Sequence, residues 1–139
     1  LVRPDILSVM KKGEHSSTFG GNPLACAAGT ATLHALTQDG LIENAKSIGE
    51  KFSNGLEELK SKHPIIREVR GKGLMIGVEL KFEVKDILME GIKNGLLLLY
   101  SGRNILRFLP PLVISEEDTV KTLQILDKLL TNEENRRNA

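Results

Sequence analysis

A loop near the start of the chain has the composition of an anion-binding site. Three consecutive hydroxyl residues, Ser16, Ser17 and Thr18, stand shortly before Gly20 and Gly21, and a predicted helix begins at residues 22–23. Hydroxyl donors beside the free N–H groups of a helix N-terminus suit a phosphate. Serine-rich loops of this kind are also common without any ligand, so the pattern alone leaves both interpretations open.

Arg107 is the second candidate, because it lies within a short apolar strand at residues 105–108. Strand alternation places its guanidinium on the same face as Ile105. A guanidinium among apolar neighbours is costly unless it pairs with an anion, and its planar fork suits a carboxylate. The carboxylate could belong to a ligand or to an acid of the chain such as Glu79, and the sequence favours neither.

The remaining motifs indicate little chemistry. Residues 71–77 look like a dinucleotide-binding fingerprint, but the third glycine comes one residue late and a strand follows it, so we predict a tight turn between two strands. His15, His34 and His63 lack the spacing of metal ligands, and we interpret His34 and His63 as structural. Cys26 lies in an apolar helix and is interpreted as a buried, inert thiol. We therefore expect no metal site.

The composition is that of a globular chain. Its 139 residues are 40% hydrophobic, and 19 Lys and Arg against 18 Asp and Glu leave a formal net charge of +1, which provides no basic stripe for nucleic acid. The longest apolar run, residues 96–100, is too short to cross a membrane, and the first residues do not form a signal peptide. We expect about one domain's worth of residues, in the cytoplasm.

Residues 40–139 are predicted to form a small α/β domain. Hydrophobic periodicity indicates a helix, two strands, a helix, two strands and a helix, at about residues 41–62, 65–70, 74–80, 83–94, 96–100, 105–108 and 116–130. This order is typical of helices packed on a short, largely antiparallel sheet. We expect the strand at 96–100 to be buried, Ile92 to face inward and the polar residues 131–139 to fray.

Residues 1–39 do not fit that domain by pattern. They predict a helix at 3–12 and a second helix after Pro23, whose residues 25–32 form an almost continuous surface of small side chains. Such a surface lets another backbone pack closely against it. We interpret the second helix first as a tightly packed core helix and, as the alternative, as a subunit interface.

Three segments together resemble the class III, pyridoxal-phosphate-dependent aminotransferases, and within them the ornithine and acetylornithine branch. They are GEHSSTFGGNPLA at residues 13–25, RGKGL at 70–74 followed by Gly77 and Glu79, and LRFLPPL at 106–112. Their order and separation agree with the family. The resemblance covers essentially the whole chain, which corresponds to the last third or so of the family's length.

The resemblance implies roles for three residues and a fold. Thr18 is expected to reach across a homodimer interface to the phosphate of pyridoxal phosphate, with Ser17 beside it, and Arg107 to bind the α-carboxylate of the amino acid substrate. Residues 40–139 are expected to form the small C-terminal α/β domain of the fold-type I aminotransferases. Residues 1–39 are expected to be a remnant of the large cofactor-binding domain plus a connecting helix.

The implied reaction moves an amino group from acetylornithine, ornithine or a related ω-amino acid to 2-oxoglutarate. The family's Schiff-base lysine lies in a glycine-rich context upstream of the Ser-Thr-Phe-Gly-Gly stretch, and only Lys11 and Lys12 precede that stretch here. The sequence therefore resembles the C-terminal part of the enzyme, with no catalytic residue of its own. The alternatives are a non-catalytic interaction domain derived from this fold and part of a 4-aminobutyrate-type aminotransferase.

We expect the isolated 139-residue chain to be inactive as a transaminase, because it lacks a lysine in the family's context. Pyridoxal phosphate mixed with the chain should be lost on dialysis. Absorbance spectroscopy checks this, and cofactor absorbance that survives dialysis and that borohydride fixes to a lysine contradicts it.

Overall fold

The computed structural model describes residues 3–7, 9, 11, 13, 14 and 16–138, and within them the chain forms five helices and four strands. In chain order these are α1 (Pro4–Leu7), α2 (Pro23–Gln38), α3 (Leu41–Lys62), β1 (Ile66–Lys72), β2 (Met75–Leu80), α4 (Lys85–Lys93), β3 (Leu99–Ser101), β4 (Ile105–Phe108) and α5 (Glu116–Asn138). Contacts between Cα atoms divide the chain into two compact units, Leu1–Asp39 and Gly40–Ala139.

The first unit contains α1 and α2. The start of α2 is confirmed, because the side-chain carbonyl of Asn22 accepts a hydrogen bond from the Ala25 N–H at 2.9 Å and Pro23 takes the first helical position. The helix predicted at residues 3–12 is too long, since α1 covers Pro4–Leu7 and Val9 lies in a turn. Positions 8, 10 and 12 lie outside the described residues.

The side chains of α2 are exposed. No residue of this helix is buried, so its interpretation as a core helix is wrong for the described chain. Cys26 is exposed, and the buried-thiol interpretation is wrong with it. The larger side chains Leu24 and Leu33 are 82% and 65% exposed. The subunit-interface interpretation stays a proposal.

The second unit is built on a four-stranded sheet in the order β1-β2-β4-β3, in which every pair is antiparallel. The turn that joins β1 to β2 lies at residues 73–74 and not at the predicted 71–73, since β1 continues through Gly71 to Lys72. Lys72 pairs with Met75 across it, and Gly73 takes a φ of +56°, a left-handed conformation that favours glycine. This hairpin fixes the register of the two strands.

One face of the sheet carries the hydrophobic core beneath α3, α4 and α5. The period of two buries Ile76, Val78 and Leu80 of β2 together with Leu106 and Phe108 of β4. The helices contribute Phe52, Leu56, Leu59, Ile87, Leu126, Leu129 and Leu130 to the same cluster. The opposite face, which we call the open face, is formed by Glu68, Arg70, Lys72, Met75, Gly77, Glu79, Leu99, Ser101, Ile105 and Arg107.

Two expectations about inward-facing segments are wrong. The strand predicted at residues 96–100 is confined to Leu99–Ser101 at the sheet edge, where Leu97 is 84% and Leu99 51% exposed. Ile92 of α4 is 54% exposed, and Gly91 is buried one position earlier. The edge strand β3 has a neighbouring strand on one side only, so Leu99 remains in contact with solvent. The short helix α4 covers little of the sheet, and Ile92 likewise remains exposed.

The fraying predicted for residues 131–139 is also wrong for the described residues, since α5 continues to Asn138. Arg136 donates to Asp86 at 2.6 Å and to Glu133 at 2.8–2.9 Å, and Arg137 lies 3.5 Å from the ring centroid of Phe82. The contacts of Arg136 with Asp86 and of Arg137 with Phe82 hold the last turns of α5 in place. A prediction based on the polarity of residues 131–139 alone does not include these contacts.

The structural interpretation of His63 is confirmed. Its side chain is 2% exposed, with Nε2 at 2.6 Å from Asp127 Oδ1 and Nδ1 at 2.9 Å from Glu134 Oε2. Lys62 adds a second contact to Asp127 at 2.5 Å, and these hydrogen bonds lower the pKa of the Asp127 carboxyl. The end of α3 is thereby tied to α5.

The β1–β2 turn is set by a close approach to α3. A Cβ added to Gly49 would lie 2.4 Å from the carbonyl oxygen of Gly73 and 2.8 Å from its Cα. Backbone atoms cannot yield as a flexible side chain can, so position 49 has room for glycine alone. This contact locates the end of the hairpin that carries Lys72.

We therefore expect Gly49→Ala to lower the free energy of unfolding by about 2–3 kcal/mol, because the added methyl overlaps backbone. Urea denaturation checks it. Gly29→Ala in α2 is the matched control: nothing lies within 4 Å of a Cβ there, so alanine should be neutral or stabilising. Equal effects of the two substitutions contradict the close approach.

Candidate functional site

Ser17 and Thr18 lie in an exposed loop directly before α2. Ser17 Oγ accepts a hydrogen bond from the Gly20 N–H at 3.0 Å, which leaves the hydroxyl hydrogen of Ser17 available to donate. The Thr18 hydroxyl has no hydrogen-bond partner within the described part of the chain. The loop therefore offers two hydroxyl donors to an anion.

The N-terminus of α2 offers less than the sequence pattern predicts. Pro23 has no N–H, Ala25 donates to the Asn22 side chain, and Cys26 donates to the Asn22 carbonyl at 3.0 Å. The Asn22 cap thus consumes donors that an anion would need. A phosphate contact in this loop rests on the hydroxyls of Ser17 and Thr18, and His15 lies outside the described residues.

Arg107 lies in the middle of the open face. It stands directly opposite Gly77 of β2 on one side and Leu99 of β3 on the other, and its side chain is exposed. It forms no hydrogen bond or ion pair with any residue that the structure describes. The intramolecular salt bridge to Glu79, one of the two alternatives left open by the sequence, is not formed.

A shallow cavity of about 360 Å³ lies on this face. Lys72 and Arg107 supply two cationic groups around it that have no ion-pair partner in the described chain, and Arg70 supplies a third that is paired with Glu68 and Glu79. Gly77 lies at the bottom of the cavity, where the absence of a side chain leaves space. A Cβ at this position would fill part of that space and come within 3.3 Å of Ile105 Cγ2. The complete lining, which we call the open-face cavity, is Arg70, Gly71, Lys72, Met75, Gly77, Ser101, Ile105 and Arg107. Its charge suits a small carboxylate.

Glu79 is engaged on the other side of β2. Its Oε1 accepts from Arg67 Nη1 at 2.9 Å and from Asn104 Nδ2 at 3.3 Å, and its Oε2 accepts from Arg70 Nη1 at 2.9 Å. Arg70 also donates to Glu68 at 2.5 Å. The hydrogen bond from Arg70, followed by that from Arg67, holds the pKa of the Glu79 carboxyl below its ordinary value.

The sequence assigned no role to Arg67, Arg70 or Lys72. The two-residue period of β1 could have placed Arg70 and Lys72 on one face. The proximity of Arg67 and Arg70 to Glu79 depends on how β1 pairs with β2, and the register shifts between Ile66 and Glu68. Strand periodicity carries no information about such an irregularity.

The two groups of candidate residues fall in different units. Ser17 and Thr18 belong to Leu1–Asp39, and Arg107 belongs to Gly40–Ala139. The open-face cavity is formed by the second unit alone.

The part of the chain that the structure describes holds neither a metal-binding cluster nor a membrane-spanning helix. No cluster of three or more His, Cys, Asp or Glu side chains is arranged to hold a metal ion there. None of the described helices combines the length and apolar character that a membrane span requires.

Comparison with known proteins decides the family. The family model described as Aminotransferase class-III matches residues 1–130 of the chain. The chain belongs to the class III aminotransferases. These are pyridoxal-phosphate-dependent enzymes, and the resemblance noted in the three sequence segments is confirmed.

Relatives of this aminotransferase chain carry two names. It is 46% identical over 132 residues to the acetylornithine aminotransferase of Caldanaerobacter subterraneus subsp. tengcongensis, covering 94% of this chain and 34% of that protein. It is 38% identical over 130 residues to ornithine aminotransferase 1 of Staphylococcus saprophyticus, covering 94% of this chain and 32% of that protein. The chain thus spans about a third of the length of these relatives.

A solved structure confirms the predicted fold class. The ornithine aminotransferase of Toxoplasma gondii, crystallised with oxidised glutathione and described as having partial occupancy of pyridoxal phosphate at its active site, superposes with a TM-score of 0.86. The identity is 35%, over 97% of this chain and 33% of that one. The helices and antiparallel sheet of the second unit match a small α/β domain of the fold-type I aminotransferases.

The arginines around Glu79 predict a pH dependence. The pKa of Glu79 is lower in the folded than in the unfolded chain, so its pairing stabilises the fold above the unfolded-state pKa of about 4.3 and is lost as the pH falls through the folded-state pKa. We expect Arg70→Gln to raise the Glu79 pKa and to flatten the acid dependence of the free energy of unfolding.

A ¹³C NMR titration of the Glu79 carboxyl and urea denaturation across acidic pH measure the two effects. Arg103→Gln is the matched control, because Arg103 is exposed, lines a different cavity and forms no ion pair in the described chain. An unchanged Glu79 pKa in Arg70→Gln contradicts the pairing.

Proposed function

We propose that the chain is part of an aminotransferase of the acetylornithine/ornithine type. Such an enzyme moves the ω-amino group of acetylornithine, ornithine or a related amino acid to 2-oxoglutarate. The names of its relatives support this substrate class, and family membership supports the chemistry. When bound, pyridoxal phosphate supplies the electron sink for that chemistry.

Arg107 binds the α-carboxylate of the amino acid substrate. The observation that carries this role is its free guanidinium, which lies opposite Gly77 on the open face with no acid partner in the described chain. The planar guanidinium donates two parallel hydrogen bonds to the oxygens of a carboxylate, which fixes the direction of the substrate as well as its distance. Gly77 leaves the space beside the fork empty.

Thr18 and Ser17 contact the phosphate of pyridoxal phosphate from across a homodimer interface. Their hydroxyl hydrogens are available, and the loop is exposed. The exposed α2, with its small side chains, supplies a surface that a second subunit can approach closely. In this proposal residues 1–39 belong to the large cofactor-binding domain with its connecting helix, and residues 40–139 form the small domain.

We expect the carboxylate affinity of the chain to depend on Arg107. In a titration of the ¹⁵N-labelled chain with 2-oxoglutarate, followed by NMR, Arg107→Gln should weaken binding about fivefold or more, the contribution of one charge-assisted pair at an exposed site. The dimethyl ester of 2-oxoglutarate should bind no more tightly to the parent chain than to the variant.

Arg103→Gln removes the same charge from a different cavity and serves as the control. Equal affinity of the parent chain and Arg107→Gln for 2-oxoglutarate rules out the carboxylate role. Equal losses in the two variants point to net charge in place of a site at Arg107.

A further inference from the structure

The register of the sheet places an acid within reach of Arg107. Gly77 is directly opposite Arg107 and Glu79 is directly opposite Ile105, so Glu79 and Arg107 are diagonal neighbours on the open face. Diagonal neighbours lie about 7–8 Å apart, a distance that a glutamate and an arginine side chain together span easily. An unpartnered Glu79 would therefore compete with any ligand carboxylate for Arg107.

The structure directs Glu79 the other way. Both of its carboxylate oxygens accept from arginines on β1, Arg67 and Arg70, and β1 lies on the side of β2 away from β4. The one contact from the β4 side is longer, a hydrogen bond from Asn104 Nδ2 to Glu79 Oε1 at 3.3 Å. The Glu79 side chain is 15% exposed, against 60% and 46% for its two arginine partners. The Glu79 carboxylate therefore lies close to the backbone of the sheet, and the side chains of Arg67 and Arg70 cover it from solvent.

This cluster is also neutral as a whole. Arg70 bridges Glu79 and Glu68, so that two arginines balance two glutamates. The positive charge of Arg107 is left uncompensated by its neighbour on β2, although an acid is one diagonal step away.

We propose that Arg70, assisted by Arg67, is a positioning residue that holds Glu79 away from Arg107 and thereby reserves the Arg107 guanidinium for the substrate carboxylate. Arg70 acts through Glu79 and need not touch the substrate. This inference rests on the proposed role of Arg107, and the experiment separates the two.

The test is a double-mutant cycle with 2-oxoglutarate as the probe, measured by NMR titration of the chain. We expect Arg70→Gln to weaken binding about fivefold, because Glu79 then pairs with Arg107. Glu79→Gln should change the affinity less than twofold in the parent chain, where the arginines already neutralise Glu79. In the Arg70→Gln background, Glu79→Gln should raise the affinity about fivefold and so restore it. Arg70→Lys, which keeps a cation beside Glu79, should retain most of the affinity.

A purely electrostatic effect of Arg70 gives a different result, since Glu79→Gln would then improve binding equally in both backgrounds. A purely structural effect gives losses that Glu79→Gln does not restore. Either outcome overturns the inference. Backbone NMR spectra establish that each variant is folded, and a variant that unfolds is replaced by the Arg70→Lys comparison, in which a wild-type affinity supports the inference and a fivefold loss overturns it.

A second readout needs no ligand. In the parent chain, Arg107→Gln should leave the titration of Glu79 unchanged; in the Arg70→Gln background, it should raise the pKa of Glu79, because Arg107 has become its partner. If Arg107→Gln leaves the pKa of Glu79 unchanged in both backgrounds, the inference is overturned. If Arg107→Gln fails to weaken 2-oxoglutarate binding in the parent chain, the proposed function fails instead, whatever Glu79 does.

Discussion

The side chains of β2 alternate between the core and the open face, and the set of groups that surrounds Arg107 depends on that alternation. Ile76, Val78 and Leu80 are buried against the helices, which forces Gly77 and Glu79 to the other side. A shift of one residue would exchange the two sets and place a carboxylate in the core. Core burial therefore fixes which groups stand beside Arg107.

The layer of helices holds this register from behind. The backbones of Gly49 and Gly73 meet too closely for a Cβ between them, which fixes the end of the β1–β2 hairpin against α3. At the other end of α3, His63 links the chain to Asp127 and Glu134 of α5. The open face is thus exposed yet backed by a packed layer of helices, an arrangement that suits the binding role proposed for Arg107.

The predictions that proved correct rest on local physics. The cap of α2 at Asn22, the amphipathic face of α3 and the antiparallel hairpin follow from hydrogen bonding and periodicity over a few residues. The wrong ones concern position within the whole. Residues 96–100 are apolar enough for a buried strand, but they form the edge of the sheet, and the polar end of α5 is ordered by Asp86 and Phe82 from outside its own segment.

The sequence by itself indicated the family, most of the helices and strands, and three candidate site residues, since Ser17, Thr18 and Arg107 stand in segments that resemble those of the family. It left open whether Arg107 pairs with Glu79 or with a ligand. Only the tertiary structure decided against the pair with Glu79, by bringing two arginines of β1 to that carboxylate and leaving Arg107 without a partner in the described chain. The physical reason is that the distance between side chains on neighbouring strands decides which charges pair. Those distances depend on the register of the sheet and on the irregularity in β1, and the periodicity of the sequence encodes neither.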